Sequence, residues 1–183
     1  DVLAWLQERG DLSAMSFCDA GCGVGSLSLP LAALGAGSVA ASDISAAMVS
    51  ETQRRAEAAG LDLNRLTFST SDLESLQGSF HTVICLDVFI HYPQQAAEEM
   101  VRHLCGLTQE SLIVSFAPYT LLLALLKRIG QLFPGPSKTT RAYTLREEGI
   151  VNAAMECGFE PIRRSLNKAP FYFSRLIEFK KKQ

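Results

Sequence analysis

Five short β-rich runs, 16–20, 38–43, 65–70, 81–87 and 110–117, alternate along the chain with helical stretches, and the runs are mostly apolar on both faces. A strand that buries two sides belongs in a parallel sheet covered by helices above and below. Segments 27–34, 46–59 and 94–105 carry apolar residues at helical spacing, with Glu51, Arg54, Arg55 and Glu57 on a polar face. Right-handed β-α-β crossovers follow. Segment 119–143 interrupts the alternation with an apolar helical piece at 121–133, a Pro-Gly-Pro turn and basic residues, and reads as an insertion. A helix over 146–157, stopped by Gly158, precedes two strands at 159–167 and 170–179 whose tight connection predicts an antiparallel pair. The expected fold is α/β, a doubly wound, mostly parallel seven-stranded sheet with a small helical lid.

A chain of 183 residues with 48% apolar content can bury one core, so one domain is expected over 1–183. The formal net charge of −2 lacks the basic excess that phosphate-driven binding demands, and this disfavours a nucleic-acid partner. The longest apolar run, 121–126, falls far short of the roughly 20 residues that cross a bilayer. Cys18, Cys22, Cys85, Cys105 and Cys157 are odd in number and scattered, as in a protein of a reducing compartment. Cys18 and Cys22 have no second ligand pair at metal-binding spacing, so no metal on protein ligands is expected. The chain opens inside a helix at 1–9, without Met or a signal peptide, and an N-terminal segment is expected to precede it. Lys180, Lys181 and Lys182 read as a solvated tail.

The loop Asp19-Ala-Gly-Cys-Gly-Val-Gly-Ser26 stands between the first strand and the first helix of the alternation, where open α/β sheets place their ligand crevice. Gly21, Gly23 and Gly25 let the backbone approach a ligand, and the helix start offers free N–H groups to an anion. A dinucleotide loop, G-x-G-x-x-G, does not fit: counted from Gly21 or Gly23, the third glycine falls on Ser26 or Ser28. Asp19 would also repel a pyrophosphate. The zwitterionic end of an amino acid suits the loop better, with its carboxylate on the amides and its ammonium near Asp19. Asp43 closes the second strand, 22 residues after Gly21, about where an acidic residue hydrogen-bonds ribose hydroxyls. Asp72 follows the third strand and is placed to accept a bond from an adenine amino group. Helix capping is the competing role for both aspartates.

The glycine loop, Asp43 and Asp72, in this order at successive strand ends, resemble the class I S-adenosylmethionine-dependent methyltransferases over nearly the whole chain. The resemblance implies S-adenosylmethionine as cofactor, S-adenosylhomocysteine as product, and a binding set of Asp19, Ala20, Gly21, Cys22, Gly23, Gly25, Asp43, Ile44, Ser71, Asp72, Leu73 and Leu86. The fourth strand runs into Cys85-Leu86-Asp87-Val88-Phe89-Ile90-His91-Tyr92-Pro93, which brings His91 and Tyr92 to the ligand end. His91 is a candidate catalytic residue, with a satisfied loop histidine as the alternative, and Asp87 is a candidate for holding the loop.

That segment resembles the magnesium-protoporphyrin IX O-methyltransferase family of chlorophyll biosynthesis, together with Phe133-Pro134-Gly135-Pro136-Ser137-Lys138, Arg141-Ala142-Tyr143 and Phe171-Tyr172-Phe173-Ser174-Arg175-Leu176. The resemblance implies methylation of one propionate of magnesium protoporphyrin IX, with His91 and Tyr92 orienting the carboxylate and Lys138, Arg141 and Tyr143 on the substrate. It also implies N-terminal helices over the cofactor that this sequence does not show, the large subunit of magnesium chelatase as a partner, and a place in the cytoplasm or beside the photosynthetic membranes of a phototroph. The lid stretch 121–133, with Lys127 and Arg128, suits a wall for the macrocycle, a helix packed on the core or a helix resting on a membrane. The rival readings are a methyltransferase of another small molecule, a quinone or an amine, and a tetrapyrrole-binding protein without turnover.

Overall fold

The computed structural model describes residues 2–119, 143–169 and 172–182. Strands β1 (Ser16–Ala20), β2 (Ser38–Asp43), β3 (Leu66–Thr70), β4 (Phe80–Cys85) and β5 (Thr108–Phe116) run parallel. Strands β6 (Phe159–Ala169) and β7 (Tyr172–Lys181) form an antiparallel hairpin, with β7 inserted against β5. The sheet order is β3-β2-β1-β4-β5-β7-β6.

Side chains alternate across a strand, so adjacent residues serve opposite cores. Phe17, Ile84 and Ile113 point to one face, where α1 (Val2–Gln7), α2 (Ser28–Ala33) and α3 (Ala46–Ala58) supply Leu6, Leu31 and Ala56. Cys18, Val83, Cys85, Leu112 and Val114 point to the other, against α4 (Gln94–Leu107) and α5 (Glu147–Glu156). Helix α4 buries Ala97, Met100, Val101, Leu104 and Cys105, the stripe that a period of 3.6 residues places on one side. Two buried faces account for the apolar runs that the sequence shows.

Three details depart from the expected boundaries. Strand β4 stops at Cys85, two residues early, because Asp87 takes a left-handed backbone with φ 58° that no strand can contain. Strand β3 lies at the sheet edge and buries Leu66 alone, so it lacks the two-sided burial of its neighbours. Lys180 and Lys181 belong to β7, where Lys180 pairs with Glu110 at 3.3 Å and Lys181 stands over the Phe159 ring, so they do not form a loose tail. The expected lid falls almost wholly outside the described residues, including 121–133, Lys127, Arg128, Lys138 and Arg141. Its flanks meet, since the Tyr119 N–H donates to the Leu145 carbonyl at 2.7 Å and Pro118 bridges to Leu145.

Candidate active site

The chain leaves β1 for β2 on one side, while β4 lies on the other, and this divergence opens a crevice at the carboxyl ends of the strands. A cavity of about 520 Å³ occupies it, lined by Gly21, Ser42, Asp43, Ile44, Ser71, Asp72, Leu73, Leu86, Asp87, Val88, His91 and Tyr92. Most of the residues singled out from sequence therefore share one space. Their convergence follows from topology, because they sit at or just beyond the carboxyl ends of four adjacent strands, β1 to β4.

The glycine loop is held from below. The amides of Gly21 and Cys22 both donate to the Ser42 carbonyl at 2.8 Å, and the Thr52 hydroxyl donates to the Gly23 carbonyl at 2.8 Å. At Gly21, with φ +90°, a Cβ would stand 2.2 Å from Val88 Cγ2. At Gly25, with φ +79°, it would stand 2.7 Å from Thr52 Cγ2. Glycine is needed at both positions for backbone and for space.

Asp43 ties the loop to the second strand. One carboxylate oxygen accepts from the Gly23 amide at 2.9 Å and the other from the Ser45 amide at 2.8 Å. The cap of α3 is Ser45, whose hydroxyl accepts from the Met48 amide, so Asp43 braces the turn while still facing the cavity. Its oxygens keep lone pairs for further donors. Asp72 accepts from the Ser75 amide at 2.8 Å, and the Ser75 hydroxyl first, then that amide, lower its carboxyl pKa from the usual value.

Asp19 is placed differently. It is only 2% exposed, does not line the cavity, and accepts a bond from the Ser28 hydroxyl at 2.5 Å beneath the loop. Burial pushes its carboxyl up to about 6, the Ser28 bonds oppose this, and the charge of Asp43 adds to the rise. Ala20 and Cys22 are buried beside it, and burial pushes the Cys22 thiol up to about 12.

On the far wall, the turn Phe89–His91 follows β4, anchored by the fully buried Phe89. His91 is exposed and faces the cavity, and Tyr92 is half-buried with its ring edge on Phe89 at 6.3 Å. Burial pushes the Tyr92 phenol up to about 12, with the charge of Glu74 adding to the shift. The phenol is therefore a hydrogen-bond donor across the ordinary pH range. Tyr143 stands next to this turn, its N–H donating to the Ile90 carbonyl at 2.8 Å, but it does not line the cavity. Lys138 and Arg141 lie outside the described residues.

The cavity suits an adenosyl amino acid on three counts. Gly21 presents bare backbone to the cavity. Ile44 is 76% exposed, an apolar side chain that a planar base would cover. The Ser42 hydroxyl is buried at the cavity wall without a partner among the described residues. Sequence reasoning missed Ser42 and Val88, as well as a second cavity of about 320 Å³ beyond Leu86 and Asp87, which draws on Ser115 of β5 and on Asn167 and Ser174 of the hairpin. The available signal was a serine at the ligand end of otherwise apolar strands.

Residues 85–181 match the family model described as magnesium-protoporphyrin IX methyltransferase C-terminus, and residues 17–110 match a methyltransferase domain model. The chain is 51% identical over 177 residues to the magnesium-protoporphyrin O-methyltransferase of Synechocystis, covering 97% of this chain and 76% of that protein. It is 50% identical over 178 residues to the chloroplastic magnesium protoporphyrin IX methyltransferase of Arabidopsis thaliana, covering 97% of this chain and 57% of that one. The crystal structure of the Synechocystis enzyme with bound S-adenosylhomocysteine superposes with a TM-score of 0.90 at 48% identity, covering 99% of this chain and 80% of that one. The family-model match, with sequence identity and superposition over almost the full length, places the chain in the magnesium-protoporphyrin IX methyltransferase family.

Proposed function

We propose that the chain transfers a methyl group from S-adenosylmethionine to a propionate carboxylate of magnesium protoporphyrin IX, giving the monomethyl ester. The observation that carries this reading is the 51% identity over nearly the whole chain to an enzyme named for that reaction. The cavity adds a chemical reason, since it sets a neutral donor and a histidine opposite the adenosyl-binding loop.

When bound, S-adenosylmethionine supplies a methyl group on a positively charged sulfur, which leaves as a neutral thioether. Asp43, Asp72 and Ile44 hold the adenosine, and because the amides of Gly21, Cys22 and Gly23 are taken by Ser42 and Asp43, the amino-acid end rests on the bare Gly21 backbone with the charge of Asp19 beneath the loop, not on the amides expected from sequence. A propionate is ionised near neutral pH, because its carboxyl pKa lies near the glutamate reference of about 4.3. The attacking oxygen already carries the electron pair that forms the new O–C bond, so no proton has to be removed. Tyr92 donates to the carboxylate and His91 orients it. Leu73, Leu86 and Val88 line the same space with apolar atoms that exclude water.

Labelled S-adenosylmethionine offered with magnesium protoporphyrin IX tests the reading, with mass analysis of the porphyrin. A gain of one methyl on a carboxyl is expected. Cofactor binding without porphyrin ester overturns the substrate.

We extend the reading to delivery of the porphyrin by the large subunit of magnesium chelatase and to a place beside photosynthetic membranes. The support is family resemblance, the chloroplastic Arabidopsis relative, and the fact that no helix among the described residues is long and apolar enough to cross a membrane. Co-sedimentation with the chelatase subunit and with thylakoid-lipid vesicles checks each part, and no co-sedimentation removes it.

A further inference from the structure

Among the described residues, Asp87 is the one non-glycine residue with positive φ. A side chain rarely adopts φ 58° unless its surroundings impose it, and such residues gather where geometry matters to function. Here the imposing groups are identifiable. The Asp87 N–H donates to Ser115 Oγ at 2.8 Å, the Ser115 hydroxyl donates back to Asp87 Oδ1 at 2.9 Å, and the Ser174 hydroxyl donates to the same oxygen at 3.3 Å. Both serines are buried, one on β5 and one on β7.

The consequence of this conformation is directional. It turns the chain out of β4 and sets Val88 over Gly21, so close that no side chain fits on the glycine. Three residues after Val88 the same turn presents His91 and then Tyr92. Asp87 and Leu86 also form the wall shared by the cofactor cavity and the second cavity, which Ser115, Asn167 and Ser174 line from the other side. One residue thus joins the hairpin, the glycine loop and the turn that carries the candidate catalytic pair.

We propose that Asp87 is a positioning residue for methyl transfer: its left-handed backbone, fixed by the buried hydroxyls of Ser115 and Ser174, aims His91 and Tyr92 at the reacting oxygen. This rests on the methyl-transfer reading above. The role belongs to side chain and backbone together, so an alanine, which neither accepts from the serines nor tolerates φ 58°, loses both. Asparagine keeps both, because its amide oxygen accepts the same bonds and its side chain tolerates the left-handed region.

The test compares Asp87→Ala, Asp87→Asn and Ser174→Ala with the parent protein. For Asp87→Ala, kcat should fall about 30-fold or more while the Kd for S-adenosylhomocysteine moves less than about 3-fold. Asp87→Asn should stay within about 3-fold of the parent in kcat. Equal kcat for alanine and parent overturns the proposal, as does a loss of turnover matched by an equal loss of S-adenosylhomocysteine binding.

If the alanine variant does not fold, Ser174→Ala carries the test, with an expected fall in kcat of about 3- to 10-fold and unchanged S-adenosylhomocysteine binding. Unchanged kcat there also overturns it. A parent protein that makes no porphyrin ester defeats the substrate reading only, because positioning has its own readout. The His91 and Tyr92 amides donate to the Val88 and Phe89 carbonyls at 3.1 Å, and in Asp87→Ala, or in Ser174→Ala if that variant stands in, their hydrogen exchange should speed up about 10-fold. Exchange at the parent rate overturns the positioning role whatever the acceptor.

Discussion

At the scale of single residues, the carboxylates that looked alike in sequence take different tasks. Asp43 and Asp72 face the cavity, whereas Asp19 lies buried under the loop with its carboxyl pushed up to about 6. A pKa raised in the folded state means that Asp19 stabilises the fold fully below the usual value of 3.8 and that this stability is lost as pH climbs through about 6. Asp19→Asn should therefore leave stability unchanged near pH 4 and raise it above pH 6, by on the order of 2–3 kcal/mol, in urea melts across that range. The same variant should bind S-adenosylhomocysteine more weakly, since the charge beneath the amino-acid site is gone. His91→Ala should lower kcat about 10- to 100-fold, with S-adenosylhomocysteine affinity by calorimetry changed little. Unchanged turnover removes His91 from the mechanism.

At the scale of elements, the β1–α2 connection works because three neighbours close on it: β2 through the Ser42 carbonyl, α3 through Thr52, and the turn after β4 through Val88. Gly21→Ala would place a methyl 2.2 Å from Val88 Cγ2 on a backbone with φ +90°. Cofactor affinity should drop by about 10-fold or more, and Val88→Ala in the same protein should restore part of it by making room while the backbone strain stays. Titration of both variants with S-adenosylhomocysteine checks the prediction, and full affinity in Gly21→Ala alone contradicts it.

At the scale of the whole molecule, the amino ends of the strands are closed by charges far from the chemistry. Arg9, just after α1, reaches across to Thr82 at 2.9 Å, Ser111 at 2.8 Å and the buried Glu178 at 2.5 Å, joining β4, β5 and β7. Glu178 has a second, longer partner in Arg163 at 3.7 Å. Arg9→Ala leaves the buried carboxylate with only the longer Arg163 contact and the Ser111 hydroxyl, and should cost about 3 kcal/mol in denaturant unfolding, while Arg9→Met with Glu178→Leu should recover much of it. Activity in the folded fraction should stay unchanged, because the network sits at the end of the sheet opposite the cavity.

The sequence by itself determined the doubly wound class, the near-exact span of most strands and helices, and part of the cavity lining, since Gly21, Asp43, Ile44, Ser71, Asp72, Leu73 and Leu86 line it whereas Asp19, Ala20, Cys22, Gly23 and Gly25 do not. Those features are written in local patterns: short continuous apolar runs, helical stripes, glycines that a sharp turn requires, and acidic residues at strand ends. What only the tertiary structure decided involves residues distant in sequence. The two-sided burial that fails at β3 depends on its edge position, and the burial of Asp19 depends on a loop folding over it. The conformation of Asp87 depends on hydroxyls from Ser115 and Ser174, 28 and 87 residues away, which no local pattern could announce. Secondary structure follows from neighbours along the chain, but the electrostatics and aim of the site follow from neighbours in space.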